Sequence, residues 1–355
     1  MVPILACMFV ECNHAVVAAK GEAMDEPTNV DSGAIMPLWA LLIDALGDMK
    51  ENGKRTIPGV PTGFTHLDEV LGGMHSGELV YIGARPAVGA LMFEVQMALA
   101  AARAGRRVLF FSIMQTADSL AKRMLAIEAG IPLSEAFPMG MRPLRGLSDA
   151  TVGRLTEAAQ RLSSLDINID DSSRLDPDSL DAKARLAMED IHEIEGGIVF
   201  IDSLQLLATD AANPVYAEGR LELEAAGIKL KRLARELGMP VIALTGLDRA
   251  IETRHWSLRR PGLADLRVFG TIEKDADTII FLDRSLTEVE AEIEGRPDYG
   301  ELVVEVAKHR SGPVGMVYLN YDVKTGTAGD RPLSLYESYL TPGTAYAGWK
   351  EAEDE

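Results

Sequence analysis

The sequence predicts an α/β fold: a mainly parallel sheet flanked by helices, with an antiparallel extension at one edge. Three observations lead there. Short apolar runs such as VLFFS (108–112), GIVFID (197–202) and TIIFLD (278–283) alternate with longer stretches of helical periodicity, the pattern of strands and helices in a parallel α/β sheet. Those runs are nearly continuous in apolar residues, as strands buried on both faces are. The last two strands, ELVVEVAKHR (301–310) and GMVYLNYD (315–322), instead alternate in polarity and follow one another closely, which suits antiparallel pairing at an edge.

Residues 1–35 show no sustained period and many turn formers, Pro27, Asn29, Asp31, Ser32 and Gly33 among them, and read as a flexible leader. Val2–Val10 is apolar but short, has no basic region before it and runs into Glu11, a poor secretory signal. Cys7 and Cys12, the only cysteines, lie there with His14. Three irregularly spaced ligands make a weak metal site, so free thiols in a reducing cytoplasm are expected. Pro37 opens LWALLIDALGDM, an amphipathic helix in a linker region spanning 36–57, and Gly53 ends it. Such a helix needs a partner subunit or its own domain to cover its apolar stripe.

The main domain runs over 58–330. ELVYIG (78–83) is a buried strand; Leu91 to Ala104 is a helix stopped by Gly105; VLFFS is the second strand. Thr116 is placed to cap a helix through Glu128. Residues 147–163 and 176–194 read as helices, GIVFID as a strand ending in an acid, and 221–237 as a helix ended by Gly238 and Pro240. VIALTG (241–246) and TIIFLD complete the parallel set. The tail, 331–355, is acidic and ends EAEDE.

With 355 residues, 47% apolar and 25% charged, the chain has the composition of an ordinary globular protein with a sizeable core. It holds no apolar run of about 18 residues, so no membrane span is expected. The formal net charge of −19 argues against a surface coated with nucleic acid. It leaves room for a ring whose basic residues are confined to a central channel.

A phosphate-binding loop follows a strand and opens a helix; backbone amides cradle phosphate, a lysine neutralises charge and a serine or threonine holds Mg²⁺. Strand 78–83, loop Ala84-Arg85-Pro86-Ala87-Val88-Gly89 and the helix from Leu91 supply that context, but the lysine position is Ala90 and the hydroxyl position is Leu91.

The run GVPTGFTHLDEVLGGMHSGELVYIGARPAVG (59–89) resembles the opening of the C-terminal ATPase domain of DnaB-type replicative helicases. The family's loop is similar to ARPSMGKT, so Arg85, Pro86 and Gly89 match while Ala90 and Leu91 depart. The resemblance continues in order through KRMLAIEAGI, FIDSLQLL, LKRLARELGMPVIAL, DLRVFGTIEKDADTIIFL and KHRSGPVG, over roughly residues 38–322. It implies a RecA-like P-loop NTPase core, ATP and Mg²⁺ as cofactors, single-stranded DNA as ligand, a ring such as a hexamer as assembly, and DNA replication as setting. The family's N-terminal scaffolding domain finds no counterpart in these residues.

The resemblance also implies site residues. Where the family's second strand ends like FSLEMS, with a Glu that activates water, this chain reads Phe111-Ser112-Ile113-Met114-Gln115-Thr116. Met114 cannot accept a proton, and Gln115 cannot serve as a base either. Asp202 matches the acid that holds Mg²⁺ through water; a strand-end carboxylate capping a loop is the plainer alternative. Gly246, in Thr245-Gly246-Leu247-Asp248-Arg249, replaces the γ-phosphate-sensing Gln of SQLNR. Lys308 and Arg310 match the basic residues of KQRNGPTG, which reach into a neighbouring subunit's site; an arginine finger there is worth about three to five orders of magnitude in rate. An exposed basic pair on a hairpin is the alternative.

Groups that act in cis are therefore missing, and those that act in trans remain. Efficient hydrolysis is not expected, and ATP and Mg²⁺ binding is expected to be weak or lost. Three roles fit: an active DNA-translocating ATPase; a non-hydrolysing ring member lending Lys308 and Arg310 to an intact paralogue; or a regulatory protein reusing the fold without DNA.

The family's channel loop is similar to SDLRESG; here it is Ala264-Asp265-Leu266-Arg267-Val268-Phe269-Gly270. Phe269 is expected to pack rather than stack on a base. Residues 249–267 form the most basic stretch, with Arg249, Arg254, Arg259, Arg260 and Arg267 around His255 and Trp256. A phosphate-contacting loop and a salt-bridged surface between subunits both fit. Lys231, Arg232 and Arg235 share one helix face, expected to be solvated.

Overall fold

The computed structural model describes residues 57–137, 147–189, 196–207, 217–255, 259–269, 272–284 and 300–331, with Leu38, Leu41, Leu42, Leu46 and Gly47. The expected leader, most of the expected linker helix, and the acidic tail beyond Arg331 lie outside the described residues. The chain divides into units 1–51 and 52–355. In the first, the five described residues are helical and the leucines are exposed.

The second unit holds one sheet. Its strands are β1 (Leu79–Ala84), β2 (Arg107–Ser112), β3 (Ile167–Asp170), β4 (Gly197–Asp202), β5 (Val241–Thr245), β6 (Thr278–Asp283), β7 (Glu301–His309), β8 (Gly315–Asp322) and β9 (Thr327–Asp330). Their order is β3-β2-β4-β5-β1-β6-β7-β8-β9. Pairing is parallel from β3 to β6 and antiparallel from β6 to β9. The mainly parallel sheet with an antiparallel edge is thus observed. β1 lies inside it, with Tyr81 opposite Ala243 on one side and Ile279 on the other.

The longer helices are α1 (Thr65–Leu71), α2 (Ala90–Arg103), α3 (Ala117–Ala129), α4 (Asp149–Leu162), α5 (Pro177–Met188) and α6 (Ala217–Leu237). Local chemistry sets their ends. The Thr116 side chain accepts from Ser119 N at 3.2 Å, and Gly130 closes α3 at φ 59°, as a cap and a left-handed stop do. Asp176 caps α5 by accepting from Asp178 N and Ser179 N, with Pro177 in the first turn.

All six residues of β1, β4 and β6 are buried, so alternate side chains feed two cores. Val80 and Ile82 join Phe64, Phe93 and Leu99 on one face. Leu79 and Tyr81 join Leu223, Leu230 and Leu233 on the other. Each such fully buried side chain contributes about 1.5–3 kcal/mol, which makes this sheet a rigid floor for the loops at its ends.

Two strands were not legible in the sequence. β3 (INID) and β9 (TAGD) are four residues long, carry polar residues or glycine, and sit at the two edges of the sheet. The helix expected over 176–194 ends at Met188; 190–195 lie outside the described residues.

Candidate functional site

The loops after β1, β4 and β5 meet at the C-terminal ends of these strands, where open α/β sheets place ligands. They enclose a recess of ≈ 580 Å³ lined by the loop Arg85, Pro86, Ala87 and Gly89, by Ala90, Leu91 and Met92 of α2, and by Met114, Arg123, Asp202, Gln205 and Thr245. Arg249 stands at its exposed rim. The expected loop residues, Met114, Gly246 and Asp202 are therefore brought together. α2 starts at Ala90, with Gly89 as its N-cap at φ 106° and no side-chain cap. Glycine is required there on two counts: the backbone is left-handed, and a β-carbon would come within 2.5 Å of the Tyr321 hydroxyl.

Asp202 ends β4 and is buried; desolvation pushes its carboxyl up to about 6, against the pull of Arg123. Nearby, Glu94 of α2 is fully buried, and its carboxylate oxygens have no well-formed hydrogen bond, the Ile201 backbone being the one group that favours its charged form. Burial, then the charge of Asp202, raises it well above the usual carboxylate range. Arg85 faces Asp283 at 3.8 Å. Gln205 Nε2 donates to Thr245 Oγ1 at 2.6 Å. Arg123 donates to Met92 Sδ at 3.7 Å, and its guanidinium lies 5.0 Å from the Phe137 ring centroid.

Arg123, Glu94 and Gln205 are the residues that sequence reasoning missed. Arg123 lies in the KRMLAIEAGI run and carries no mark of direction; only the packing of α3 beside α2 aims it at the recess. Glu94 did carry a signal, as a lone acid in an otherwise apolar stretch of helix.

Lys308 and Arg310 lie at the opposite end of the sheet. Arg310 lines a second recess of ≈ 720 Å³ with Glu78, Lys231, Arg235 and Asp277, at the N-terminal ends of β1, β5 and β6. Lys308 Nζ donates to the carbonyls of Glu273 and Ala276, both at 2.6 Å; burial, then Arg310, lowers its pKa. Arg310 donates to Lys274 O at 2.7 Å and faces Asp277 at 3.5 Å, with its side chain 53% exposed. Lys231 is not on a solvated face as expected: it donates to Gly77 O at 2.7 Å and Asp277 Oδ2 at 2.5 Å. Arg232 and Arg235 are exposed.

Within the basic stretch, Arg254, Arg259 and Arg260 have partners inside the chain. Arg254 pairs with the buried Asp265, which also accepts from Gly262 N at 2.9 Å. Arg259 Nε donates to Arg254 O at 3.0 Å, and Arg260 contacts Met316 Sδ at 3.1 Å. The side chains of Arg267 and Phe269, and all of Trp256, lie outside the described residues.

Comparison with known proteins agrees with this geometry. The family model described as "DnaB-like helicase C terminal domain" matches residues 59–328. The replicative DNA helicase DnaB of Geobacillus stearothermophilus is 32% identical over 308 residues, covering 85% of this chain and 64% of that protein. The replicative DNA helicase DnaC of Bacillus subtilis (strain 168) is 32% identical over 314 residues, covering 88% and 65%. The chain thus spans less than two thirds of the length of these relatives. One solved ATPase domain superposes with a TM-score of 0.73 at 29% identity, covering 85% of this chain and 100% of that one. A DnaB-like replicative helicase, solved in a study of its interactions with primase, gives 0.72 at 28%, covering 91% and 72%. The chain belongs to the DnaB-like helicase C-terminal domain family, and its sheet is the RecA-like ATPase core of that family.

Proposed function

We propose that this chain works in the setting of a DnaB-type replicative helicase, in a ring on single-stranded DNA, and that its own ATPase site does not turn over. One observation carries the reading: the recess at the phosphate loop presents a methyl group at Ala90, an isobutyl group at Leu91 and a thioether at Met114, where phosphoryl transfer calls for an ammonium, a metal-binding hydroxyl and a base. The residues present do not fit Mg²⁺. Asp202 stands at the family's acid position, but Leu91 offers no oxygen where the loop's metal-binding hydroxyl is called for, whereas Mg²⁺ asks for near-octahedral oxygen ligands. Purified protein is expected to hydrolyse no ATP above background, with or without single-stranded DNA. Robust turnover that Asp202→Ala abolishes refutes the reading.

A second reading has its own support. Arg310 stands at the end of the sheet remote from the chain's own phosphate loop and is half exposed, so it serves a neighbour's site and not its own. Lys308, bonded to its own backbone, is the lesser contributor. Mixed with an intact paralogue, the chain then restores ATPase activity that Arg310→Ala removes; turnover indifferent to that change rejects the lent finger.

A further inference from the structure

The recess that lost its lysine still holds a cation under strength. Arg123 has five N–H donors. Among the described residues its guanidinium meets one thioether and one ring face and forms no ion pair, and its Nε is buried without an acceptor. Burial lowers its pKa, and the only charge opposing that shift is Asp202, acting at a distance. The other arginines of the recess differ: Arg85 is answered by Asp283, and Arg249 is exposed. A partly buried guanidinium with such weak partners suits an anion, and its planar fork matches phosphate oxygens.

The place for that anion is beside it. Arg123 touches Met92 in the first turn of α2, the turn whose amides point into the recess and whose N-cap Gly89 offers no side-chain acceptor. The recess volume of ≈ 580 Å³ lies in the range of small-molecule sites.

We infer that Arg123 replaces the phosphate-loop lysine, so that the recess binds a nucleoside diphosphate or pyrophosphate without a metal ion. The inference rests on the reading of a non-hydrolysing site and names the ligand of that site. Asp202 changes sign in this arrangement. In a metal site its carboxylate helps to hold the nucleotide; here it faces the ligand as one anion faces another.

The test is calorimetric titration of the full chain with ADP and with inorganic pyrophosphate, in EDTA and in MgCl₂. Binding is expected in EDTA and is hardly changed by Mg²⁺. Arg123→Ala weakens it by about tenfold or more, the scale of a lost charge-assisted contact, and Arg123→Lys restores part of the loss. Asp202→Asn tightens binding in EDTA, whereas it weakens binding at any site that works through a metal. Absence of binding to the folded wild type in EDTA, a requirement for Mg²⁺, weaker binding by Asp202→Asn, or indifference to Arg123→Ala overturns the inference. The wild-type and Asp202→Asn arms decide it even if Arg123→Ala does not fold. ATP turnover by the same preparation sinks the non-hydrolysing reading instead, so the two failures are told apart.

Discussion

At the N-terminal ends of β1, β5 and β6, one buried carboxylate organises its surroundings. Asp277 accepts from Leu79 N at 2.8 Å and from Lys231 at 2.5 Å, faces Arg310 at 3.5 Å, and its carbonyl accepts from Arg310 N at 2.9 Å. At the C-terminal ends, two carboxyls, Asp202 and Glu94, are raised first by their own burial, and the charge of Asp202 raises Glu94 further. The same sheet carries both. The difference teaches that one end of the sheet holds its carboxylate in an oriented polar network, while at the other burial works against the charge of its carboxyls.

That contrast can be broken by substitution. The largest effect is expected at Asp277: Asp277→Ala leaves Leu79 N without its acceptor and Lys231 with Gly77 O alone, and costs about 2–3 kcal/mol, the scale of a buried polar group left unsatisfied. Urea unfolding checks it, and a cost under about 1 kcal/mol makes the network a surface one. At the other end the sign reverses. Burial lifts the Asp202 carboxyl to about 6 in the folded chain only. The folded state therefore binds the extra proton, and the contribution of Asp202 to stability is greatest below about pH 4, falls as pH rises to about 6 and is flat above. Asp202→Asn should abolish that decline and raise stability at pH 8 by about 3 kcal/mol at most. The difference between wild-type and variant melts over this pH range isolates it; a variant less stable than wild type at pH 8 contradicts it. Glu94→Leu is the smallest change. It removes two buried oxygens without a well-formed hydrogen bond and is expected to stabilise by about 1–2 kcal/mol at pH 7. A destabilised variant would show that Glu94 has a partner after all.

The sequence revealed those parts of the fold whose chemistry is local. β4 and β6 matched residue for residue because six consecutive residues are buried on both faces, and the Thr116 cap was visible because its bond spans three residues. β3 was invisible because its pairing comes from a strand some way back in the chain, with Val108 opposite Ile167; β9 pairs locally with β8, and its short TAGD run carries no apolar pattern to reveal it. The site divided in the same way. Ala90 and Leu91 are informative by their place in a contiguous loop. Arg123 enters the recess only because α3 lies beside α2, and the partners of Lys231, Gly77 and Asp277, are 154 and 46 residues away. Helix periodicity alone assigned that lysine to water.

Gly89 shows what packing alone demands of such a loop. It answers to the Tyr321 hydroxyl, which comes from the antiparallel extension, and not to any bound molecule. A side chain there would collide with β8 whether or not phosphate ever arrives. The lysine and the hydroxyl had only the guest to answer to. The outline of the loop is held by the building, and so it can outlast the tenant.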